Sequence, residues 1–300
     1  MTEHSKGTAY AAGAYLLWGL LPIYWKVAGH VPSDQILAHR VFWACILMLA
    51  LLGVSRKWTE FTRQLKDVLK HPAKLLSLTA ASLLISINWF VYIWAVNSGH
   101  LVESSMGYYI NPLVSVLLGM FVLKEKLNTM QWVSFALAAA GVLILTIRLG
   151  NFPWIAITLA VSFGLYGLAK KLTTFEASIG LTMETLIVTP LAAAYLIWLS
   201  FQGKLDVGGG EGATLLLLVG SGAATAAPLL LFALGAQRIP LSLIGFLQYI
   251  APTISLILGV FVYGETFSHV HLIAFLFIWA SLAVFTLSRT GLFRRAELKS

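Results

Sequence analysis

The sequence predicts an all-α polytopic membrane protein, with ten transmembrane helices forming two inverted repeats of five. Three observations carry this. The first is composition. Of 300 residues, 59% are hydrophobic and only 11% are charged, against about a quarter charged in soluble domains. A water-soluble globule cannot hide that much apolar surface, so the solvent for most of this chain is lipid. The second is an internal repeat. GYYINPLVSVLLGMFVLKE, from Gly107 to Glu125, recurs 140 positions later as LQYIAPTISLILGVFVYGE, from Leu247 to Glu265. Nine positions match without a gap: Tyr109/Tyr249, Ile110/Ile250, Pro112/Pro252, Ser115/Ser255, Leu118/Leu258, Gly119/Gly259, Phe121/Phe261, Val122/Val262 and Glu125/Glu265. Apolar bias alone does not align Tyr, Pro, Gly and Glu in one register, and a repeat of this length decides the fold before local propensity does. The third is the distribution of basic residues. With the N-terminus in the cytoplasm, 16 of the 20 Lys and Arg residues face inward. Lys26, Arg148 and Lys204 face outward, and Arg40 lies inside a span, as the positive-inside rule requires.

A span needs about 20 mostly apolar residues. In chain order, such segments fall at 8–28, 35–54, 74–96, 102–123, 130–148, 153–171, 178–200, 213–235, 241–263 and 269–288. The first is followed by Lys26 and further spans rather than by a small-residue cleavage site, so it is expected to remain as a span. Between the second and third spans, RKWTEFTRQLKDVLKHPAK places Trp58, Phe61, Leu65, Val68 and Leu69 at helical spacing among basic residues. This predicts an amphipathic helix on the anionic inner leaflet. The other long connection, Phe201 to Gly212, carries Gly208-Gly209-Gly210 and reads as an outer loop. Five spans per repeat is an odd number, so the halves must be inverted. The charges agree: inner Lys124-Glu125-Lys126 becomes outer Gly264-Glu265-Thr266, and outer Ser98-Gly99-His100 becomes inner Arg238-Ile239-Pro240. Inverted repeats are a common build for secondary transporters, with the substrate near the midplane between the halves.

Several chemistries are excluded. The net charge of +8 does not indicate nucleic acid, because the basic residues are interleaved with apolar runs. Cys45 is the sole cysteine, so no internal disulfide and no thiolate metal cluster forms. His269 and His271 are two apart, on different faces of a helix, and no metal site is expected. Gly208 to Gly212 lacks a following Lys-Ser/Thr, so it is not a phosphate-binding loop. No nucleophile elbow and no catalytic cluster is visible, so the protein is not expected to be an enzyme or to carry a cofactor.

The informative residues are polar groups inside spans, each costly unless paired or facing a cavity. Arg40 lies early in the second span and Glu103 opens the fourth on the same outer side, which predicts an ion pair. Glu184 lies early in the seventh span at nearly the repeat-equivalent position of Arg40, within reach of Lys170, Lys171 or Arg238. Both sites read either as gates or as packing locks. Glu184 is also the best candidate for proton coupling. Pro112 and Pro252, at matching depths, predict paired helix kinks. Tyr15, Trp18, Asn88, Trp89, Tyr92, Tyr108, Tyr109, Asn111, Tyr166 and Gln248 supply aromatic and amide groups that suit an amphipathic organic solute better than a bare ion.

Five stretches carry a resemblance: DQILAHRVFW (34–43), NWFVYIWAVN (88–97), GYYINPLVSVLLGMFVLKEKL (107–127), FGLYGLAKK (163–171) and GFLQYIAPTISLILGVFVYGE (245–265). Together they resemble the RarD group of EamA-domain permeases in the drug/metabolite transporter superfamily, over nearly the whole chain. The resemblance implies EamA repeats at 1–148 and 149–288, a cytoplasmic tail at 289–300, and both termini in the cytoplasm of a bacterial cell with the protein in its inner membrane. It implies a permease that moves a small-molecule solute, an amino-acid-like metabolite or an amphipathic drug, usually outward. By analogy the cavity is lined by spans one, three, four, six, eight and nine. That makes Trp18, Asn88, Trp89, Tyr108, Asn111, Tyr166 and Gln248 the substrate-binding set, and leaves Arg40, Glu103 and Glu184 as gate or ion-pair residues outside it. A channel or a structural scaffold is the alternative, and a membrane-embedded enzyme is a more distant one.

Overall fold

A computed structural model describes residues 2–97, 101–149, 154–206, 212–262 and 269–289. Every regular element among them is helical: α1 (Glu3–Val27), α2 (Ser33–Val54), α3 (Trp58–Lys70), α4 (Pro72–Asn97), α5 (Leu101–Phe121), α6 (Thr129–Leu149), α7 (Trp154–Leu172), α8 (Ala177–Phe201), α9 (Gly212–Ala236), α10 (Leu241–Leu247), α11 (Ile250–Ile257) with a wider π turn at Leu258–Val262, and α12 (His269–Arg289). Each predicted span coincides with a helix or, for the ninth, with α10 and α11 together. Helices α2, α4, α7, α8 and α9 are long and apolar enough to cross a membrane, and shorter apolar helical stretches lie at 107–121, 129–144, 241–255 and 272–288. The outcome is a ten-pass helical protein in two inverted five-helix repeats.

The packing obeys a two-fold exchange that swaps α1 with α7, α2 with α8, α4 with α9, α5 with α10 and α11, and α6 with α12. Helices α2 and α8, α5 and α10, and α6 and α12 pack against their own mates. The α5–α7 contact is matched by α11–α1, α4–α7 by α9–α1, and α2–α9 by α8–α4. Most of the extensive packing is therefore between the repeats, which interlock rather than forming two self-contained bundles. The glycines show the symmetry at atomic scale. A Cβ on Gly19 would lie 2.8 Å from Cβ of Ile254, and a Cβ on Gly164 would lie 2.8 Å from Cγ1 of Val114. Gly19 and Gly164 are repeat mates, and so are Val114 and Ile254. Absence of a side chain lets these helix backbones approach, as small residues do in membrane bundles.

Each end of the bundle is tied. At the end predicted to face the cytoplasm, Glu125 accepts from the backbone N–H groups of Leu241 (2.7 Å) and Ser242 (2.9 Å), so a carboxylate satisfies the free donors at the start of α10. Gly119 makes room for it, since a Cβ there would lie 2.8 Å from Glu125 Oε2. Lys171 donates to the Ile239 carbonyl (2.8 Å), Arg238 pairs with Glu3 (3.1 Å), and Lys57 pairs with Glu176. At the opposite end, Gln35 bridges the Lys204 carbonyl (2.9 Å) and the Asp206 N–H (2.7 Å), and His30 meets Thr214 (3.0 Å).

The segment read as an inner-leaflet helix is α3. It does not lay its whole apolar face on lipid. Phe61 and Val68 are buried against Leu52 of α2, Leu78 of α4, and Ile179 and Met183 of α8, while Trp58 and Leu69 stay exposed. The two repeat-matched prolines sit in differently assigned helices. The ninth pass is interrupted at Gln248-Tyr249, ahead of Pro252, whereas α5 continues through Pro112 without a break. A proline removes one intrahelical hydrogen bond, and neighbouring helices decide whether the axis breaks there. At Pro112 the neighbour is the backbone of Gly245, whose Cβ would lie 2.7 Å from the Pro112 carbonyl oxygen. The loop at 208–210 and the tail beyond residue 289 lie outside the described residues.

Candidate functional site

The bundle contains a small cavity between α2, α4, α7, α8 and α9. Its walls are Val41, Ala44, Ile85, Trp89, Tyr166, Leu181, Glu184, Thr185, Val188 and Leu229. The lining is apolar except at one edge, where Lys170 donates to Glu184 at 2.6 Å and the Tyr166 hydroxyl donates to the other carboxylate oxygen at 3.2 Å. Both charges are nearly fully buried, with side chains 2% and 7% exposed. The Lys170 ammonium also lies 5.3 Å from the centre of the Tyr166 ring. This pair is one of the three expected for Glu184. Lys171 and Arg238 are engaged elsewhere, with the Ile239 carbonyl and with Glu3.

The second charge within the bundle is Arg40, which is half-buried. Its guanidinium stands 5.0 Å from the Trp25 ring centre and 4.7 Å from that of Trp89, and its Nε donates to the Thr225 hydroxyl at 3.0 Å. The expected partner, Glu103, has its side chain outside the described residues. Trp89 links the two sites, with one face of its surroundings belonging to Arg40 and the other to the cavity. Tyr92 and Tyr108 pack together, ring centres 5.7 Å apart, within electrostatic reach of Arg40.

The expected lining set divides. Trp89 and Tyr166 line the cavity. Trp18 does not: it is held in an aromatic cluster with Tyr15 (5.4 Å), Phe163 (5.6 Å) and Phe232 (5.7 Å between ring centres), which fills the space beside α1. Asn88 spends both amide hydrogens on α7, donating to the Leu159 carbonyl (2.8 Å) and the Ser162 hydroxyl (3.0 Å). Gln248 sits at the break between α10 and α11 and accepts from Ser115 of α5 at 3.2 Å. Asn111 is buried, and among the described residues its side-chain oxygen has no hydrogen-bond partner. Val41 and Ala44 of α2 and four residues of α8, Glu184 included, border this small cavity, although spans two and seven were not expected to line one. Sequence reasoning also missed Thr225 and Trp25. Nothing marks Thr225 in an Ala-rich span, and a tryptophan near a span end reads as an interfacial anchor.

Comparison with known proteins agrees with this architecture. The model of the EamA-like transporter family matches residues 5–147. The uncharacterized transporter YojE of Bacillus subtilis is 52% identical over 288 residues, covering 96% of this chain and 95% of that one. The RarD proteins of Salmonella typhi and Escherichia coli are 43% and 40% identical, over 94% and 97% of this chain and 95% and 97% of theirs. A solved crystal structure aligns with a TM-score of 0.72 over 98% of this chain and 99% of that one at 24% identity, a likeness of fold. This chain belongs to the EamA-like transporter family, in the RarD group of multi-pass membrane transporters.

Proposed function

We propose that the protein is a secondary transporter that carries a small organic solute outward across the bacterial inner membrane by alternating access, with both termini cytoplasmic. The observation that carries this is a small cavity with mostly apolar walls and a buried ion pair at one edge, in a pseudo-symmetric bundle with polar ties at both ends. Related repeats at 1–148 and 149–288 would exchange their environments as the ties at one end open and the other end closes. The apolar lining suits an amphipathic metabolite or drug. Glu184 is the group on which proton coupling would act, because protonating it would release Lys170. Purified protein in proteoliposomes tests the reading. A carrier gives solute flux that saturates, a channel gives flux linear in concentration, and a scaffold gives none. Untargeted comparison of metabolites inside and outside cells with and without the protein identifies the solute and the direction.

A further inference from the structure

We infer that Arg40 is the anchor for a carboxylate, so that the solute is a monoanion with an aromatic or similarly bulky apolar body. This rests on the transport reading above and names the class of its substrate.

The argument begins with the repeat. In a register offset by 145, α1 and α7 match at Gly19/Gly164, Leu20/Leu165 and Lys26/Lys171. That register sets Trp25 opposite Lys170. Arg40 and Glu184 are related by 144, one position from the same offset. The two charges are thus mates, but their surroundings differ. Glu184 receives its counter-charge from Lys170 at 2.6 Å. Arg40 receives from the Lys170-equivalent position an indole, Trp25, at 5.0 Å. Among the described residues no carboxylate lies within ion-pair distance of Arg40. Among the described residues, one site holds its counter-charge and its mate does not.

A guanidinium with no carboxylate partner among the described residues, about 10 Å along a membrane-spanning helix from its start, is costly. Two indoles and a hydroxyl compensate part of that cost, as cation–π contacts and a single hydrogen bond do. With Nε committed to Thr225, the two terminal nitrogens present a planar fork, which fits a planar carboxylate through two parallel hydrogen bonds. One positive charge is neutralised by one negative charge, whereas a phosphate dianion would leave charge uncompensated in a low-dielectric site. Arg40 is half-buried rather than sealed in, and Tyr108 is 41% exposed. Trp25, Trp89, Tyr92 and Tyr108 then form an aromatic collar, and Trp89 leads from it to the apolar cavity.

The test uses the full-length protein in lipid nanodiscs, with equilibrium binding of 3-phenylpropanoate, its neutral amide 3-phenylpropanamide, and inorganic phosphate as competitor. The carboxylate is expected to bind at least tenfold more tightly than the amide. Arg40→Gln should remove that preference, and Arg40→Lys should retain part of it. Equal binding of acid and amide by the unmodified protein, or no binding of either, overturns the inference without recourse to any variant. So does competition by phosphate at the concentration where the carboxylate binds. A more than tenfold gain in carboxylate affinity on Glu103→Gln also overturns it, because the guanidinium would then already hold an internal counter-charge. Flux in proteoliposomes separates this inference from the reading beneath it. Saturable flux of neutral solutes without acid preference removes the anchor and leaves the transporter. Acid-selective binding without flux leaves the anchor and removes the transporter.

Discussion

At the scale of single residues, the two buried charges have different consequences for stability. Lys170 and Glu184 are worth little as a pair relative to apolar residues of the same shape, because desolvation offsets their attraction. Removing one partner is another matter. Glu184→Gln leaves an ammonium buried at the edge of an apolar cavity, and we expect a loss of about 3–5 kcal/mol. Lys170→Met combined with Glu184→Leu should recover most of it. Unfolding in mixed micelles, followed by circular dichroism, measures both, and a double variant no better than the single one contradicts the argument. The pH profile of transport in Glu184→Gln then tests the coupling role separately, since an unchanged profile removes it. Gly19 and Gly164 give a second residue-scale prediction. A valine at either must push against a packed neighbour whose side chain lies 2.8 Å from the new Cβ, so each should cost about 1–3 kcal/mol. Gly19→Val should cost more, because its new Cβ would also meet the Ala251 carbonyl at 3.2 Å, and backbone does not yield as a side chain does.

At the scale of elements, α3 is the least membrane-like helix and one of the most informative. It clamps the start of α8, the helix that presents Glu184, through Phe61, Val68 and the Lys57–Glu176 pair. Both acidic groups on its exposed face are paired with bases. Hydrogen bonds from Arg63 and Gln64 hold the Glu60 carboxyl below its ordinary range, and a hydrogen bond from Lys74 does the same for Asp67. A carboxyl with a lowered pKa in the folded state supports folding above its unfolded value and withdraws that support as pH falls through the folded one. Docking of α3, read from Trp58 fluorescence, should therefore be flat from neutral pH down to about 4, the ordinary carboxylate value, and weaken only below it. The change should be small, because both groups are exposed and screened by salt. The periodicity of α3 was legible in the sequence, but its binding partner was not: amphipathicity gives the direction of an apolar face and says nothing of whether lipid or protein covers it. The same limit applies to the prolines. Pro112 and Pro252 are aligned in the repeat between matching Tyr-Ile and Ser residues, yet the helix is interrupted beside Pro252 and not at Pro112, and there α10 is held at its start by Glu125 and pressed against Pro112 through Gly245. Those are tertiary facts. Likewise Trp18, Trp89 and Tyr166 look alike in a string of apolar residues, and only packing tells that the first fills space while the other two border it.

At the scale of the whole molecule, the repeat is a statement about which surfaces need each other. Lipid supplies no hydrophobic drive for helices to associate, so stability depends on close packing and on buried polar ties. Here the extensive pairings are α5 with α7, α6 with α12, α2 with α8 and α9, and α1 with α9, and each of these crosses from one repeat to the other. Residues 1–148 alone would keep the weaker α4–α5 and α5–α6 contacts and lose the surfaces that bury Gly19, Ala44 and Val116. We therefore expect neither half, cut between α6 and α7, to survive alone in a membrane, and the two halves expressed together to reassemble into an active protein. Insertion itself should not fail, because each helix satisfies its own backbone in the bilayer. The measurement is the protease resistance and abundance of each half by itself and with its mate, followed by copurification through a tag on one of them. A first half that is stable and monodisperse alone would mean that each repeat carries its own core, and the interlocked architecture, with a cavity built by helices from both repeats, would have to be given up.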